Sequence, residues 1–266
     1  MMIRPARALS IAAIAAGLTM TTLFAASSAS AAGVNYVALG DSYSSGVGAG
    51  SYLNDGSNCK RSTNAYPYLW KNAHSPSSFK FVACTGARTG DILNSQISAL
   101  DSSTTLVSIS VGGNDAGFAS TMQTCVLSSD DDCINAVNTA KNYALNTLPG
   151  QLDNVYSAIK AKAPNAHVVV MGYPRIYKIG GDCIFGIGDT KRTAINGAAD
   201  TLDGVLAKRA ANAGFAFGDV RSIFTGHEIC GNLTTWLNST TLPVDESYHP
   251  KAVGQSGGYL PVFSQS

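Results

Sequence analysis

The chain has 266 residues, of which 13% are charged, and its formal net charge at pH 7 is +1. A near-neutral chain without a cluster of Lys and Arg lacks the positive surface by which proteins bind nucleic acid or anionic membranes. We therefore expect neither of these partners.

The first 32 residues have the composition of a secretory signal peptide. Arg4 and Arg7 precede a mostly apolar run from Ala8 to Ala26, and Ala29-Ser30-Ala31 is a small-residue cleavage site, with Ala32 as an alternative. A membrane anchor is the competing interpretation, but three threonines interrupt the run, and no later stretch approaches the roughly 18 apolar residues of a span. We expect a secreted, monomeric chain in which residues 33–266 form one domain.

All six cysteines lie within residues 33–266, which suggests disulfides in an exported chain. Six cysteines allow fifteen pairings. We favour the sequential one, because each cysteine falls in or near a loop after a predicted strand, so that neighbours in sequence should be neighbours in space. A zinc site is the alternative, but the chain has no CxxC pair and few histidines. The favoured pairs are Cys59–Cys84, Cys125–Cys133 and Cys183–Cys230.

Five short apolar runs predict β-strands. Continuous β-branched runs such as "HVVVMG" favour strands that are buried on both faces, as in a parallel sheet. Helical patterns lie between the runs, so we predict an α/β fold with a parallel sheet covered by helices on both sides. The predicted strands are residues 36–41, 79–84, 106–111, 167–172 and 215–220.

Three helices are predicted from apolar spacing. Thr89 is expected to cap the first, which carries Ile92 and Ile97. The second buries Leu152, Val155, Tyr156 and Ile159 and stops at Pro164, and the third extends from Ile195 to Leu206 and ends at Gly214. We interpret the cysteine-containing stretches 116–140 and 176–190 as loops.

Small and polar residues stand where three predicted strands end, at the edge where open α/β sheets bind ligands. The first strand runs into Ser42, the second into Gly86, and the third into Asn114. A serine in this place, with little bulk around it, is where an enzyme would hold a nucleophile. Each of these short motifs, taken alone, is also typical of an ordinary turn.

The segment "VDESYHP" near the C-terminus supplies a candidate base for Ser42. His249 has an unperturbed pKa of about 6.5, which suits a general base near neutral pH. Residues three apart on a turn or short helix can meet, so we expect Glu246 to accept a hydrogen bond from His249. The backbone N–H groups of Ser42 and Gly86 and the side-chain amide of Asn114 are candidate donors to an oxyanion.

On these residues the chain resembles the SGNH (GDSL-type) hydrolases. The matching positions are Ser42 in "GDSYSSG", Gly86 in "CTGARTGD", Asn114 in "GGND" and His249 in "ESYHP". The match covers essentially all of residues 33–266, and the chain looks most like secreted bacterial lipases and phospholipases A1 with three disulfides. The resemblance implies a flavodoxin-like three-layer α/β/α sandwich with a five-stranded parallel sheet, and it supports the sequential cysteine pairing.

The chain departs from the family pattern at two points. Tyr43 stands in place of the leucine of the eponymous motif. The usual acidic residue is an aspartate three positions before the histidine, whereas this chain has Glu246 there and Asp245 one further back. Some relatives orient the histidine by a backbone carbonyl instead, which would here belong to Ser247.

These residues predict a secreted serine esterase that acts through an acyl-enzyme without metal or cofactor. The family resemblance favours lipid acyl esters as the substrates, with phospholipids as a further candidate. A short-chain or carbohydrate acetyl esterase and an acyltransferase are alternatives on the same site. A catalytically inert secreted binding module is the alternative of a different class. Candidate walls of an acyl groove are Leu53, Phe118, Met122, Ile176, Ile184 and Phe185, each of which could equally fill the core.

Overall fold

The computed structural model describes residues 1–2, 33–181, 183 and 186–266. The predicted signal peptide, apart from Met1 and Met2, and the candidate wall residues Ile184 and Phe185 lie outside the described residues. Gly33–Ser266 is one compact unit. Within the described residues, no helix combines the length and apolarity needed to cross a bilayer.

A single sheet of five parallel strands forms the centre of the fold, as the sequence predicts. Its spatial order is β2-β1-β3-β4-β5. Val37, Val107 and Val169 are buried, in keeping with strands covered on both faces. The strands are β1 (Asn35–Ala38), β2 (Ser78–Phe81), β3 (Leu106–Ile109), β4 (His167–Met171) and β5 (Ala216–Gly218).

Helices connect the strands and pack on the sheet. The elements are α1 (Ser42–Ser45), α2 (Tyr66–His74), α3 (Thr89–Asp91), α4 (Phe118–Leu127), α5 (Asp130–Asn146), α6 (Leu148–Lys162), α7 (Asp189–Ala213), α8 (Ala252–Gly254) and α9 (Leu260–Gln265). The chain steps from β1 to β2 in one direction and from β3 to β5 in the other, so right-handed crossovers place α2 and α6–α7 on opposite faces. Accordingly, α2 packs on α9, and α6 packs on α7.

The reversal of direction lies between β1 and β3, and it positions the site. In such sheets ligands bind at this switch point, outside the carboxyl ends of the strands. Main-chain hydrogen bonds from Leu39 to Ser108 and from Asp41 to Ser110, both 2.9 Å, continue the pairing of β1 with β3 up to Ser42. The predicted nucleophile therefore begins α1 directly at the switch point.

The predicted helices agree with the structure except at the first. The buried faces of α6 and α7 are confirmed, and α7 ends at Gly214, whose φ of 75° is the left-handed conformation typical of a helix end. Thr89 is not the cap of α3, because Arg88 is, and the Thr89 N–H and hydroxyl instead bind Asp115. A π-helix, Ile92–Gln96, and a 3-10 helix, Ile97–Ala99, continue this segment.

The interpretation of 116–140 as a loop is wrong, because this stretch forms α4 and most of α5. Met122, Cys125, Cys133 and Val137 are its buried residues, and they give the two helices an apolar side. Ser129 caps α5, with Asp132 closing the reciprocal capping box. This box was the sequence signal for α5. In the stretch 176–190, the described residues before α7 have no regular element beyond an isolated pairing of Tyr177 with Ile229.

The three disulfides join the cysteines in sequential order. They are Cys59–Cys84, Cys125–Cys133 and Cys183–Cys230. All six thiols are thereby consumed, so the cysteines cannot supply a zinc site. Cys125–Cys133 ties the C-terminal half of α4 to the first turn of α5, and Cys59–Cys84 fastens a loop to the segment after β2.

Candidate active site

Ser42 is the first residue of α1, where its backbone N–H has no acceptor within the helix. Asp41 caps this helix by accepting a hydrogen bond from the Tyr43 N–H at 3.0 Å. The serine is 6% exposed, yet it lines a large cavity. The strand end and the capped turn together fix the hydroxyl at the cavity wall.

His249 lies beside this hydroxyl. Its Nε2 is 2.7 Å from Ser42 Oγ, and its Nδ1 is 3.0 Å from the carbonyl oxygen of Ser247. A carbonyl oxygen can only accept, so Nδ1 carries the proton and Nε2 is left to accept from the serine hydroxyl. This is the tautomer that a general base for Ser42 requires.

The expected hydrogen bond between Glu246 and His249 is replaced by the one to Ser247. The Glu246 carboxylate accepts from the Tyr52 hydroxyl at 2.8 Å and lies 3.6 Å from the Lys60 ammonium, which pairs with Asp245 at 2.6 Å. The 3-10 helix Val244–Glu246 ends before Ser247, whose backbone is extended, so residues 246 and 249 do not share a helix face. Of the three candidates for orienting His249, the Ser247 carbonyl is the group that contacts Nδ1.

The imidazole is neutral at physiological pH. Burial lowers the pKa of His249 to about 4, because water is removed from the charged form. The hydrogen bond to the Ser247 carbonyl and the charge of Asp245 act in the opposite direction, and Lys60 adds to the lowering. His249 is therefore present as the free base over the whole neutral range.

The loop before His249 is held in an unusual backbone conformation. Tyr248 has a φ of 65°, which is costly for a residue with a side chain, and its N–H donates to the Asn238 carbonyl at 2.9 Å. The Asn238 side chain donates in turn to the Gly48 carbonyl at 3.1 Å. A Cβ at Gly48 would lie 2.6 Å from this amide and 3.0 Å from the Cβ of His249, so only glycine fits there.

Gly86 and Asn114 line the same cavity as Ser42 and His249. Gly86 has a φ of 75° and open space where a Cβ would stand, so its backbone is accessible from the cavity. One hydrogen of the Asn114 amide donates to the Ala87 carbonyl at 3.0 Å, which leaves the second for a ligand. The structure thus brings together the residues that the sequence selects as oxyanion donors.

Asp41 anchors the strand ends beneath the serine, and sequence reasoning missed it. Besides the Tyr43 N–H, its carboxylate accepts from the Ser110 hydroxyl at 2.6 Å and from the Tyr173 hydroxyl. Burial raises the pKa of Asp41 to about 6, and these hydrogen bonds limit the rise. The available signal was Ser110, a polar residue that directly follows β3 at the edge where the site lies.

Tyr43 is a second residue that the sequence did not single out for the site. Its hydroxyl donates to the Tyr248 carbonyl at 2.7 Å, and its ring centroid lies 5.1 Å from that of His249. The residue that follows the serine is therefore in contact with the loop that carries the histidine. The leucine of the family motif could not donate this hydrogen bond.

The cavity beside Ser42 has a volume of about 670 Å³ and a largely apolar wall. Of the predicted wall residues, Phe118, Met122 and Ile176 line it, whereas Leu53 is not among its lining residues. Further apolar residues come from α4, α5 and α7, namely Val126, Leu127, Val137, Ala140, Ala144, Ile195, Ala198, Ala199 and Leu202. A cavity of this size and character can accept an acyl chain.

Proteins of known family are similar to this chain over almost its whole length. The GDSL-like lipase/acylhydrolase family model matches residues 38–256. Lipase 1 of Streptomyces coelicolor is 62% identical over 258 residues, which are 96% of each chain. A lipase of Streptomyces rimosus is 55% identical over 262 residues, covering 96% of this chain and 97% of the other.

Two solved structures are also similar to this chain in both fold and sequence. The phospholipase A1 of Streptomyces albidoflavus NA297 superposes with a TM-score of 0.85 at 58% identity, covering 88% of this chain and 99% of that one. The extracellular lipase of Streptomyces rimosus has a TM-score of 0.85 at 57% identity, with 87% and 99% covered. Fold, site geometry and sequence therefore agree, and the chain belongs to the GDSL-like lipase/acylhydrolase family.

Proposed function

We propose that the protein is a secreted serine hydrolase of carboxylic esters that acts on lipid acyl chains. The observation that carries the proposal is the 2.7 Å contact between Ser42 Oγ and His249 Nε2 at the wall of an apolar cavity of about 670 Å³. The lipase names of the relatives at 55% and 62% identity support it. The three disulfides are consistent with export to an oxidising compartment.

The proposed reaction has two acyl-transfer steps. His249 Nε2 takes the Ser42 proton as Oγ attacks the ester carbonyl, and the carbonyl oxygen becomes an oxyanion. The backbone N–H groups of Ser42 and Gly86 and the Asn114 amide stabilise this oxyanion. The imidazolium then protonates the leaving alcohol, and water activated by His249 hydrolyses the acyl-enzyme by the same path.

The Ser247 carbonyl has the role of holding His249 in this cycle. It fixes the Nδ1–H tautomer and stabilises the transient imidazolium through its dipole, where a carboxylate would do so through a full charge.

Losing one oxyanion donor typically costs about 3 kcal/mol in the barrier, so the Asn114→Ala variant should lose roughly a hundredfold in kcat.

The apolar cavity favours medium or long acyl chains over acetyl groups. Each buried methylene contributes about 0.8 kcal/mol, an effect that an acetyl ester cannot use. An acyltransferase is the second candidate function, because the acyl-enzyme can pass its acyl group to an alcohol that enters the same cavity.

A panel of p-nitrophenyl esters from acetyl to palmitoyl tests the proposal. We expect turnover to peak at medium or long chains, and to be lost in Ser42→Ala but not in Ser95→Ala, which changes an exposed serine on a different segment. A serine-directed phosphonate should add one adduct, at Ser42. No Ser42-dependent turnover on any ester would refute the hydrolase and favour the binding module. A peak at acetyl would instead indicate a short-chain or carbohydrate esterase.

We also propose that residues 1–32 are removed on secretion and that residues 33–266 act as a monomer without metal or cofactor. The mass and N-terminal sequence of the protein from culture medium test the first point. Light scattering tests the second, and activity retained after exhaustive treatment with a chelator tests the third.

A further inference from the structure

Tyr43 directly follows the nucleophile, and its hydroxyl reaches the residue that precedes the base. This hydroxyl donates to the Tyr248 carbonyl at 2.7 Å, and Tyr248 is joined by a peptide bond to His249. His249 Nε2 in turn lies 2.7 Å from Ser42 Oγ. Two peptide bonds and two hydrogen bonds therefore close a ring through these four residues, which come from the two ends of the domain.

The backbone of Tyr43 is fixed at both of its polar groups. Its N–H donates to the Asp41 carboxylate at 3.0 Å, and its carbonyl accepts from the Gln255 side chain at 3.0 Å. Gln255 is buried, and its amide oxygen accepts from the Tyr66 N–H at 3.0 Å. The Tyr43 ring is buried as well and packs edge-on against Tyr173, with the centroids 5.0 Å apart. The hydroxyl is therefore presented from a rigid support.

The turn at Tyr248 needs such support because its backbone is strained. Tyr248 has a φ of 65°, a conformation that costs free energy for a residue with a side chain. Its N–H donates to the Asn238 carbonyl at 2.9 Å, and its carbonyl accepts from Tyr43. The preceding carbonyl, that of Ser247, accepts from His249 Nδ1 at 3.0 Å. Of the two carbonyls that flank this turn, one therefore holds the imidazole and the other is held by Tyr43.

The Tyr43 hydroxyl keeps its proton over the working pH range. Burial raises the pKa of Tyr43 further above its ordinary value of about 10, and the charge of Asp41 acts in the same direction. A backbone carbonyl can only accept a hydrogen bond, so the hydroxyl is the donor. The contact therefore does not titrate in the range where His249 changes its charge.

We propose that Tyr43 is a positioning residue that sets the distance between Ser42 Oγ and His249 Nε2. The inference rests on the proposed function, because it concerns the same serine and histidine. The hydroxyl is fixed to the turn that carries the nucleophile, and it holds the strained turn that carries the base. It acts through the Tyr248 carbonyl and not on the substrate. Acylation and deacylation both use His249, so the expected effect is on kcat and not on KM.

Tyr43→Phe removes the hydroxyl and keeps the ring. We expect kcat for p-nitrophenyl butyrate to fall about ten- to a hundredfold, because a displacement of about 1 Å in a reacting group can cost a factor of about a hundred. KM should change less than about twofold, since both acyl-transfer steps slow together.

Tyr259→Phe is the matched control. The Tyr259 hydroxyl is buried and donates at 2.9 Å to the carbonyl of Gly172, which directly follows β4. Each of the two variants loses one buried hydrogen bond from a tyrosine to a main-chain carbonyl, so each should lower Tm by about 2–10 °C. Tyr259→Phe should nevertheless keep kcat within about threefold of the wild type.

The pH profile of kcat/KM gives a readout that a loss of stability alone would not move. Burial lowers the pKa of His249 to about 4, and the Tyr43 ring lies beside the imidazole, with the centroids 5.1 Å apart. Release of the turn lets water reach the imidazole and favours its charged form, so its pKa rises. The pH at which activity is lost should therefore move from about 4 towards 6.5 in Tyr43→Phe, and stay at about 4 in Tyr259→Phe.

Two further variants isolate the donor at position 43. Tyr43→4-aminophenylalanine keeps an N–H donor where the hydroxyl stood, and it should restore kcat to within about threefold of the wild type. Tyr43→Leu introduces the residue of the family motif, which has no donor, and it should show the same loss as Tyr43→Phe. The test therefore stays decisive if one of these two variants does not fold.

A folded Tyr43→Phe variant with the kcat and the pH profile of the wild type would overturn the proposal. An equal fall of kcat in Tyr259→Phe would also overturn it, because the loss would then follow from stability alone. In both cases, wild-type turnover that depends on Ser42 would show that only the positioning role has failed. Without such turnover in the wild type, the proposed function itself fails and this inference falls with it.

Discussion

The Glu246→Gln variant tests whether a carboxylate or a backbone carbonyl orients His249. His249 Nδ1 contacts the Ser247 carbonyl at 3.0 Å, while the Glu246 carboxylate accepts from Tyr52 at 2.8 Å. Glutamine has the same shape, and its amide oxygen can still accept from Tyr52. The substitution therefore removes the negative charge and leaves the contacts of the histidine in place.

The two arrangements predict effects of very different size. Where a carboxylate orients the histidine, amide replacement lowers kcat by about 10⁴. If the Ser247 carbonyl performs this role, we expect a change below about threefold, or about 0.7 kcal/mol in the barrier. The lost 3.6 Å pair with Lys60 should cost about 0.2–1 kcal/mol in stability, which lowers Tm by no more than about 4 °C.

The assay is the kcat and kcat/KM of butyryl ester hydrolysis for Glu246→Gln, Asp245→Asn and the double variant. Ser42→Ala and His249→Ala set the level of full loss, and a thermal melt shows that each variant is folded. A fall in kcat of a hundredfold or more in folded Glu246→Gln would refute the reasoning and restore Glu246 as the third member of the site.

Three further predictions follow from the site and its walls. Activity should be lost as pH falls through about 4, because burial lowers the pKa of His249 to about 4 and only the neutral imidazole is a base. The pH profile of kcat/KM tests this, and a loss of activity centred at pH 6.5 would contradict it. Ala140→Leu, on the cavity wall, should shift the preference to shorter acyl chains, with about a fourfold loss in kcat/KM for each methylene excluded, while the exposed Thr139→Leu on the same helix should not. Replacing Cys125 and Cys133 together by serine should destabilise the fold by roughly 2.5 kcal/mol in urea unfolding while Ser42 still reacts with a phosphonate; equal stability would show that the bridge adds nothing to α4 and α5.

The reactive residues could be predicted because their positions follow from topology. A parallel sheet brings the carboxyl ends of its strands to one edge, so the polar residues after β1, β2 and β3 had to meet there. His249 was predicted by its chemistry and by the family motif. The Ser247 carbonyl that orients His249 could not be predicted in this way, because every residue type has a backbone carbonyl. The left-handed backbone at Tyr248 could not be predicted either, because no glycine stands at that position.

Local composition explains the wrong interpretation of residues 116–140. In the stretch 116–140 the two cysteines and the polar run 128–132 favoured the interpretation as a disulfide-linked loop, whereas the capping box at Ser129 is the signal that predicts a helix there.

The hydrogen bonds of Asp41 connect the reactive centre to the ends of neighbouring strands. One carboxylate joins the end of β1 to Ser110 after β3 and to Tyr173 after β4, so a displacement of Ser42 would disturb hydrogen bonds to both segments. Local opening should leave the hydrogen bonds of Asp41 intact. The backbone amides of the residues around it should exchange with solvent only on global unfolding. The cavity wall on α4 and α5 does not share these hydrogen bonds. Amide hydrogens there should therefore exchange with solvent while Ser42 and His249 stay in contact.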